Sequence, residues 1–442
     1  MTVFRAYDIR GVYGSEITES LAESIGKAFG STLKGTVVVA RDNRLSGESL
    51  SKSLADGILS TGANVVDIGI VPTPLAYFAA NRWEHANCVM VTASHNPSEY
   101  NGFKFVRNYG ALSGEEIQEL RKLIESGKYR TGRGTLSAKD AVPEYDAYLK
   151  ARIKPKRPLK VVMDSGNGVA GLVAPGLFRA LGCEVVELYS EPDGNFPNHH
   201  PDPTVDDNMK DLINAVQKEK ADFGIGFDGD VDRAGFIDDK GRILRGDQAL
   251  ILFAREILKK HKKAKIIYEV KCSQAVEEEI LKDGGIPILY RTGHSFIKKK
   301  LKEEHALLAG EMSGHFYFAD GYYGFDDAIY AAAKMAELLS NTRKKLSELV
   351  DEMPQYYSTP EIRIECPDER KFQIVEEVSA EFQKTNKVNT IDGARIQFKD
   401  GWGLIRASNT QPALILRMES KTKKGLEEIK AEIEKEVKKH LN

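Results

Sequence analysis

The sequence predicts an α/β protein in which three related mixed α/β domains and a C-terminal α+β domain surround a central active-site cleft. The main observation is a repeated unit that consists of a short apolar strand, a helix, a glycine and a second strand. The unit begins three times, at TVVVARD (36–42), LKVVMDSGNG (159–168) and AKIIYEVKC (264–272). β-Branched runs of this kind are typical of parallel strands that are buried on both faces. The repeat therefore predicts three related α/β layers.

Each unit continues into a third apolar strand that ends in a polar cluster. These strands are ANCVMVTA, ADFGIGF and HALLAG. The clusters that follow them are Ser94-His95-Asn96, Asp228-Gly229-Asp230-Val231-Asp232 and Glu311-Met312-Ser313-Gly314-His315. Open α/β sheets bind ligands outside the carboxyl ends of their strands. Three strand ends with three different chemistries therefore predict three domains that face one cleft.

The last part of the chain has a different pattern. Residues 388–420 combine apolar runs with glycine-rich hairpin signals, which predicts an antiparallel α+β domain. The chain then ends in a predicted helix with one apolar face, made by Leu426, Ile429, Ile433, Val437 and Leu441. With the linkers between the units, these patterns predict domains at 1–150, 151–246, 247–354 and 355–442.

Composition and charge exclude several classes of protein. A formal net charge of -2 over 442 residues shows no basic excess, so we expect no nucleic-acid or membrane partner. The four cysteines contain no Cys-x-x-Cys pair, which argues against a zinc site or a disulfide framework and favours a reducing compartment. No signal peptide and no apolar run long enough to span a bilayer is found. We expect a cytoplasmic protein.

The segment FGIGFDGDVDR carries the strongest chemical signal. Asp228, Asp230 and Asp232 alternate along one loop, and their short carboxylates suit one face of an octahedral Mg²⁺ shell. An EF-hand calcium site is excluded, because Arg233 and Asp239 stand where such a loop needs glycine and glutamate. The alternative is a solvated acidic turn, which the position at a strand end disfavours.

The turn RASNTQP offers the parts of a phosphate-binding cradle. Arg406 supplies a guanidinium group, and Ser408, Asn409 and Thr410 supply polar side chains and backbone N–H groups. Arg417 lies close enough in sequence to add a second cation. Ser-Asn-Thr is also ordinary turn chemistry, so the residues alone leave both interpretations open.

The segment GEMSGH has the chemistry expected of a polyol-binding loop. Glu311, Ser313 and His315 alternate, and each can donate or accept a hydrogen bond to a sugar hydroxyl. A single glutamate or histidine in a loop is more often structural. The presence of all three residues together favours a ligand.

Two more strand ends in the third unit carry candidate residues. The segments RTGHSFIKKK and VKCS supply His294 and Lys271. A structural histidine would explain His294 equally well. The lysines at 298–300 predict a helix surface that faces solvent.

The segment VVMDSGNGVAG matches the dinucleotide-binding fingerprint in outline. Gly166, Gly168 and Gly171 follow a strand, and Glu187 lies near the end of the next one. However, Asp164 would place a carboxylate beside the pyrophosphate of a dinucleotide. We therefore interpret the segment as a tight strand-to-helix turn, with NAD(P) binding as the alternative.

Ser94 has the position of a nucleophile but not the flanks of a hydrolase serine. The Gly-x-Ser-x-Gly elbow is absent, because Ala93 and His95 flank the serine. Neighbours on an extended backbone point in opposite directions, so we predict that His95 is a supporting loop residue and a poor base for Ser94. Phosphoryl transfer needs positioning and charge neutralisation, which an acidic metal loop and a phosphate cradle would supply. We predict that Ser94 is a phosphoryl carrier.

The motifs TASHNP, DGDVDR, GEMSGH and RASNTQP, in this order and at these separations, resemble those of the α-D-phosphohexomutase family. FRAYDIRG and RTGHSFIKKK match as well, so the resemblance covers essentially the whole chain. Within the family, the chain most resembles phosphomannomutase/phosphoglucomutase. The sugar-binding motif differs from the Gly-Glu-Gln-Ser-Gly-His form that is typical of phosphoglucosamine mutases, since Met312 replaces the glutamine.

The resemblance assigns roles to the residues at matching positions. It implies a catalytic set of Ser94, Lys104, Arg10, Arg233 and His294. Ser94 would be phosphorylated, and Lys104 would be the general acid/base. It implies a magnesium site made by Ser94, Asp228, Asp230 and Asp232. It implies substrate contacts from Tyr7, Lys271, Glu311, Ser313, His315, Arg406, Ser408, Asn409, Thr410 and Arg417.

The resemblance also implies an activity, the interconversion of hexose 1-phosphate and hexose 6-phosphate, with mannose and/or glucose as the sugar. Phospho-Ser94 would give its phosphoryl group to the sugar and form a hexose 1,6-bisphosphate, which would return its other phosphate to Ser94. The implied cofactors are Mg²⁺ and, as activator, glucose 1,6-bisphosphate or mannose 1,6-bisphosphate. The expected partners are small-molecule sugar phosphates, and the expected state is a monomer or small homo-oligomer. The alternatives are a phosphoglucosamine mutase and an NAD(P)-dependent dehydrogenase.

Overall fold

The computed structural model describes residues 3–5, 7–408 and 412–441. The strands in this part of the chain form four sheets, which follow one another in sequence. The first three sheets are mixed and the fourth is antiparallel. This is the predicted fold class. The residue numbers predicted for the domain boundaries stay predictions.

The first unit is a seven-stranded sheet with helices packed against it. Its strands are β1 (Ile9–Val12), β2 (Thr36–Arg41), β3 (Asn64–Ile70), β4 (Cys88–Val91), β5 (Tyr100–Arg107), β6 (Gly110–Ala111) and β7 (Leu136–Ala138). Its helices are α1 (Glu19–Ser31), α2 (Gly47–Leu59), α3 (Thr73–Arg82), α4 (Glu115–Ser126) and α5 (Val142–Arg152).

The second unit has a five-stranded sheet. Its strands are β8 (Lys160–Asp164), β9 (Glu184–Leu188), β10 (Phe223–Phe227), β11 (Ala234–Asp238) and β12 (Ile243–Leu244). Its helices are α6 (Ala174–Ala180) and α7 (Lys210–Glu219), and short 3₁₀ turns span Val169–Leu172 and Asp206–Met209.

The third unit begins with a helix and has a four-stranded sheet. Its strands are β13 (Lys265–Glu269), β14 (Ile286–Tyr290), β15 (Leu308–Gly310) and β16 (Phe316–Phe318). Its helices are α8 (Gly246–Lys260), α9 (Gln274–Lys282), α10 (His294–Glu304), α11 (Ala328–Ser340) and α12 (Leu346–Asp351).

The fourth unit is a six-stranded antiparallel sheet covered by two helices. Its strands are β17 (Tyr357–Ser358), β18 (Ile362–Glu365), β19 (Val388–Asn389), β20 (Ala394–Gln397), β21 (Gly401–Ala407) and β22 (Ala413–Ser420). Its helices are α13 (Lys371–Phe382) and α14 (Lys423–Leu441). The predicted apolar face of α14 is confirmed, because Ile429, Ile433 and Val437 are buried.

The repeat predicted from the sequence is visible in the strand order. In each α/β unit the first strand of the repeat lies between the other two and is parallel to both: β2 between β3 and β4, β8 between β9 and β10, and β13 between β14 and β15. The carboxyl ends of the three strands therefore meet at one edge of each sheet. The predicted site residues follow the strands at this edge.

The apolar cores divide the molecule differently from the sheets. One continuous core takes buried side chains from all three α/β units, for example Phe78, Phe223 and Phe316. The fourth unit has a core of its own between its sheet and its two helices, with Ile374, Leu414 and others. No described helix has both the length and the apolar composition that a membrane span requires.

Candidate active site

Each of the four predicted clusters lies in the connection of an antiparallel hairpin. The Ser94 loop (92–99) joins β4 to β5, the aspartate loop (228–233) joins β10 to β11, and the Glu311 loop (311–315) joins β15 to β16. The C-terminal loop, between β21 and β22, is described only at Ser408 and Pro412. In the α/β units the first strand of the hairpin also belongs to the parallel part of the sheet, so these loops open at its carboxyl edge.

Ser94 is buried, and its hydroxyl contacts the aspartate loop directly. Ser94 Oγ donates a hydrogen bond to Asp228 Oδ2 at 2.6 Å, although 134 positions separate the two residues. The backbone of Ser94 has φ +53°, in the left-handed region that a serine rarely adopts. The strand end thus turns sharply and directs the hydroxyl into the junction between two units.

The interpretation of His95 as a residue that points away from Ser94 is wrong. His95 Nδ1 lies 3.1 Å from Ser94 Oγ. The reason is the left-handed backbone of Ser94, since side chains of neighbouring residues diverge only where the chain is extended. Burial, with Arg233 and Arg10 nearby, holds the pKa of His95 well below its ordinary value, so the neutral ring is favoured.

The aspartate loop brings three buried carboxylates together. Oxygens of Asp228, Asp230 and Asp232 all lie within 4.8 Å of one another. Burial and the two neighbouring carboxylates raise the pKa of Asp228 well above its ordinary value. Gly229 allows this close packing, because a Cβ there would lie 2.6 Å from the carbonyl oxygen of Ser94. The alternative of a solvated acidic turn is excluded by the burial of all three carboxylates.

Lys104 enters the same cluster from β5. Its ammonium group donates to Asp230 Oδ2 at 2.7 Å and to Asp232 Oδ2 at 2.5 Å. Burial lowers the pKa of Lys104, but these two carboxylates outweigh burial and hold the pKa above its ordinary value. Thr73, at the start of α3, also donates to Asp230 Oδ2, at 2.6 Å. The first unit therefore supplies both a cation and a hydroxyl to the aspartate loop of the second.

Arg10 and Arg233 lie on two sides of the Ser94 loop. Arg10, on β1, donates to Asn96 Oδ1 at 2.6 Å and to Asp8 Oδ2 at 2.7 Å. Arg233 ends the aspartate loop, and its Nε lies 3.4 Å from His315 Nε2. The structure thus places a guanidinium group of the second unit against the histidine of the third.

The Glu311 loop is organised around His315. Its imidazole lies between Asp232 Oδ1 (3.2 Å) and Glu311 Oε2 (3.1 Å), and Ser313 Oγ is 2.9 Å from Nδ1. Burial lowers the pKa of His315, but the two carboxylates outweigh it and raise the pKa to about 9. Glu311 also accepts hydrogen bonds from the Tyr317 hydroxyl and the Gly293 N–H. All three predicted residues of this loop therefore lie together beside the aspartate loop.

His294 begins α10 and faces the site, with a carboxylate behind it that the sequence did not indicate. Its Nδ1 lies 3.8 Å from Asp326 Oδ2, and its ring packs edge-on against Tyr7 of the first unit. The prediction that the lysines at 298–300 all face solvent is wrong for Lys298. Its ammonium is 2.7 Å from Asp326 Oδ1, because the helical turn brings it to the same side as His294.

Lys271 lies at the end of β13, next to a buried glutamate that the sequence also did not indicate. Lys271 Nζ is 3.4 Å from Glu361 of the fourth unit. Glu269 accepts hydrogen bonds from the N–H of Lys271, the hydroxyl of Thr292 and the N–H of Met312. One carboxylate therefore links three strand ends of the third unit.

The predicted phosphate cradle is described only in part. Arg406, at the end of β21, is 3.2 Å from Asp392 Oδ2, and Arg417 is 4.0 Å from Asp247 Oδ2. Ser408 is buried, and its N–H donates to the carbonyl of Ala413 across the hairpin. Asn409 and Thr410 lie outside the described residues.

Tyr7 belongs to the same neighbourhood as all of these groups. Burial raises its pKa, Asp8 and Glu311 act in the same direction, and Arg10 and Arg406 act against it. The charges that reach this phenol thus come from the first, third and fourth units. The site is a single cleft to which every unit contributes.

The dinucleotide-like segment is packed by the chain itself. His199 Nε2 lies 3.0 Å from Asp164 Oδ2, and the ring of His199 and Pro201 lie against Gly166. A Cβ at Gly168 would lie 2.7 Å from the carbonyl oxygen of Gly229. These glycines allow the aspartate loop to approach, and the tight-turn interpretation is confirmed.

Comparison with known proteins shows the family to which the chain belongs. Four domains of phosphoglucomutase/phosphomannomutase match in order: alpha/beta/alpha domain I at residues 1–131, alpha/beta/alpha domain II at 143–241, alpha/beta/alpha domain III at 245–357 and the C-terminal domain at 361–436. The chain belongs to the phosphoglucomutase/phosphomannomutase family. The family predicted from the motifs is thereby confirmed, and so are the fold class and the class of enzyme, a mutase.

Individual relatives in the family are similar over nearly their whole length. The phosphomannomutase/phosphoglucomutase of Pseudomonas aeruginosa is 47% identical over 434 residues, which cover 97% of this chain and 94% of the relative. The phosphoglucomutase of Neisseria gonorrhoeae is 43% identical, with 97% and 95% covered. A crystal structure of a phosphoglucomutase/phosphomannomutase family protein from Burkholderia thailandensis is 42% identical, with a TM-score of 0.94 and 99% and 97% covered.

The acidic cluster of this family member fits a divalent metal ion. All its candidate ligand atoms are oxygens, which Mg²⁺ prefers. Within the described part of the chain, Asp230 Oδ1 is buried without a hydrogen-bond partner, and Ser94 Oγ lies beside Asp228. The residues present therefore suit the metal implied by the resemblance.

Proposed function

We propose that this mutase interconverts hexose 1-phosphate and hexose 6-phosphate, of mannose and/or glucose, with Ser94 as the phosphoryl carrier. The observation that carries the proposal is the buried hydrogen bond between the Ser94 hydroxyl and Asp228, in a cluster of three aspartates. A serine in this place has a carboxylate partner and neighbouring cations, the requirements of phosphoryl transfer.

We assign the metal site to Asp228, Asp230 and Asp232, together with an oxygen on Ser94. Mg²⁺ bound there would neutralise negative charge at the reacting phosphoryl group. The chain's own cations act from the other sides. Arg10 and Arg233 would pair with phosphoryl oxygens, and both are already held by hydrogen bonds next to the Ser94 and Glu311 loops.

Lys104 is proposed as the general acid/base. In the first transfer the bond between Ser94 Oγ and phosphorus breaks while a sugar oxygen bonds to phosphorus. A proton passes overall from the sugar hydroxyl to Ser94 Oγ, and Lys104 would supply the proton that the serine oxygen gains. Burial lowers the pKa of Lys104, but Asp230 and Asp232 outweigh burial and hold it above its ordinary value, so the side chain is an ammonium group with a proton to donate.

The sugar and the second phosphate would be held by the other two loops. Glu311, Ser313 and His315 offer donors and acceptors for hydroxyl groups, and His294, Tyr7 and Lys271 would complete that surface. Arg406, Ser408, Asn409, Thr410 and Arg417 would hold the phosphate that is not reacting. A hexose 1,6-bisphosphate can present either phosphate to the cradle, so the bisphosphate would turn over between the two transfers. Glucose or mannose 1,6-bisphosphate would restore phospho-Ser94 when it is lost.

The rest of the proposal concerns the surroundings of the enzyme. Its partners are small-molecule sugar phosphates, without nucleic acid or membrane. The four cysteines are free and buried, which fits a cytoplasmic location. The preferred sugar is a separate question, which a comparison of mannose 1-phosphate, glucose 1-phosphate and glucosamine 1-phosphate as substrates would answer.

The carrier role is tested by Ser94→Ala. Intact mass after treatment with glucose 1,6-bisphosphate should show a phosphoryl adduct on the wild type and none on the variant. Turnover should fall by about 10⁴-fold or more, because the group that forms the covalent intermediate is removed. Ser98→Ala, an exposed serine in the same loop, serves as the control and should keep both adduct and turnover. Full activity of Ser94→Ala would refute the carrier role.

A further inference from the structure

Arg44 is a completely buried arginine to which none of the roles above applies. Its side chain has 0% exposure, and it follows β2 at the carboxyl edge of the first sheet. β2 is the parallel neighbour of β4, so the segment after β2 lies beside the Ser94 loop. An arginine is rarely buried without a specific set of acceptors, because desolvation of its charge is costly.

The acceptors of Arg44 are four backbone carbonyls of one turn. Nη1 donates to the carbonyl of Pro97 at 2.6 Å and to that of Tyr100 at 2.9 Å. Nη2 donates to the carbonyl of Ser94 at 2.9 Å and to that of Asn96 at 2.6 Å. The planar guanidinium therefore spans the turn from the carrier serine to the start of β5. Four carbonyl oxygens that converge in this way would repel one another without a cation between them.

The other side of Ser94 is held through Asp42. Thr92 donates from its hydroxyl to Asp42 Oδ2 at 2.7 Å, and the N–H of Ser94 donates to Thr92 Oγ1 at 2.9 Å. Asp42 also lies 3.2 Å from Nε of Arg44. The N–H and the carbonyl of Ser94 are thus both fixed by one ion pair.

The contacts of Arg44 and Asp42 can hold the backbone of Ser94 in an unfavourable conformation. A left-handed backbone at a serine is unfavourable and persists only where its surroundings enforce it. A phosphoryl group on Ser94 would add about 1.5 to 2 negative charges, which would pull an unsupported loop towards nearby cations. The carrier oxygen must nevertheless return to the same place after every transfer.

We propose that Arg44 is a positioning residue for phosphoryl transfer, which holds the backbone of the Ser94 loop so that the carrier oxygen stays beside the aspartate loop. The inference rests on the proposed carrier role of Ser94. Arg44 would act through the four backbone carbonyls and through Asp42.

The test compares Arg44 with a matched arginine in the same unit. Arg130 also donates to backbone carbonyls, those of Thr61, Leu33 and Gly30 at 2.7, 2.7 and 3.0 Å. These carbonyls precede β2 and β3, at the opposite end of the strands from Ser94. Arg44→Met and Arg130→Met both remove a carbonyl-bound guanidinium, so both should lower the thermal stability. Only Arg44→Met should act on the transfer step.

We expect kcat and kcat/KM of Arg44→Met to fall by about 100-fold, with KM within about twofold of the wild type, because the carrier atom is displaced while the substrate contacts remain. The rate at which glucose 1,6-bisphosphate phosphorylates Ser94 should fall in parallel. Arg130→Met should keep both rates. The kcat of Arg44→Lys should lie between those of the wild type and Arg44→Met, since one ammonium cannot reach four carbonyls in a plane.

If Arg44→Met folds poorly, chemical rescue provides a second test of the inference. Added guanidinium chloride at low concentration should restore part of the kcat of Arg44→Ala, and should do nothing for Arg130→Ala. Equal kcat losses in the Arg44 and Arg130 variants, or a loss confined to KM, would overturn the inference while the carrier role stands. A wild type without a phosphoserine would overturn both.

Discussion

The Ser94 loop and the C-terminal loop hold their functional side chains in different ways. Around Ser94, polar groups are paired across units: the serine with Asp228, and Lys104 with Asp230 and Asp232. Arg406 and Arg417, in contrast, have their acidic neighbours at 3.2 and 4.0 Å, and their buried Nε atoms have no partner among the described residues. Unpartnered buried atoms occur at both ends, among them Asp230 Oδ1 and Arg10 Nε, but the charged side chains around Ser94 have closer partners than Arg417 of the cradle has.

The apolar cores that support the two loops also differ. The three α/β units share one apolar core, so the Ser94, aspartate and Glu311 loops are anchored on a single body. The fourth unit has its own core and meets the third through a small apolar cluster, made by Val270, Leu289, Trp402 and Leu404, together with polar contacts. Examples are Arg395, which donates to the carbonyls of Val270 and Cys272, and Glu419, which accepts from the N–H of Gln274. Contacts of this kind permit movement between domains more readily than a shared core does.

The difference would suit the proposed bisphosphate, whose two phosphates would exchange places between the two transfers. The atoms that make and break bonds need a fixed geometry, because a displacement of about 1 Å costs rate. In the proposed mechanism the cradle would accept either phosphate of the bisphosphate, so its exact position would matter less. Substitutions near Ser94 should therefore lower kcat, whereas substitutions at the cradle should mainly change KM.

The largest effect is expected at the fixed end, from Asp230→Asn. This change removes a carboxylate that Lys104 and Thr73 both contact, and it weakens the proposed metal site. We expect kcat to fall by about 10²–10³-fold with KM little changed, since charge stabilisation at the reacting group is lost. A titration with Mg²⁺ should show half-maximal activity at a higher concentration. Asp207→Asn, an exposed aspartate of the same unit, is the control. A change in KM alone would contradict the proposed difference between the Ser94 loop and the C-terminal loop.

A middle-sized effect is expected at the cradle, from Arg406→Lys. The charge remains but the two-pronged geometry is lost, so we expect KM for the hexose phosphate to rise by about 10-fold. The value of kcat should stay within about threefold, because the reacting atoms are untouched. Steady-state kinetics give both constants, and Arg370→Lys on the exposed end of α13 is the control. If kcat fell as much as in Asp230→Asn, the two ends would not be separable.

The smallest effect is expected from Asp392→Asn, and it should have the opposite sign. Asp392 pairs with Arg406 and accepts from the N–H of Thr292 in the third unit, so in the proposed mechanism it would compete with the substrate phosphate for Arg406. Asparagine keeps an oxygen for Thr292 but removes the charge. KM should therefore fall by about two- to fivefold, because the ion pair that competes for Arg406 is removed. An increase in KM would show that Asp392 orients Arg406 instead of restraining it.

The sequence was sufficient for features that repeat or cluster locally. The three α/β units followed from the strand pattern, and the aspartate loop followed from carboxylates two residues apart. It was not sufficient where a residue acts through distant backbone or across units. Arg44 meets carbonyls about fifty positions away, and Glu269 meets two loops through their N–H groups. Neither leaves a pattern of side chains to recognise.

The prediction that the side chain of His95 points away from Ser94 failed for a local reason. It assumed an extended chain at the end of β4, and a single positive φ at Ser94 reversed the direction of the neighbouring side chain. Lys298 and Asp326 are a similar case, since only the packing of α10 shows which of three consecutive lysines turns inward. The roles assigned to site residues remain predictions to be tested by the substitutions above.

The backbone of Ser94 also decides which amino acid can carry the hydroxyl. Threonine has the same functional group, but its branched Cβ makes the left-handed region much less accessible than it is for serine. Tyrosine would place its oxygen several bonds further from the chain and away from Asp228. A change of the hydroxyl-bearing residue would therefore have to be accompanied by a different turn at the end of β4.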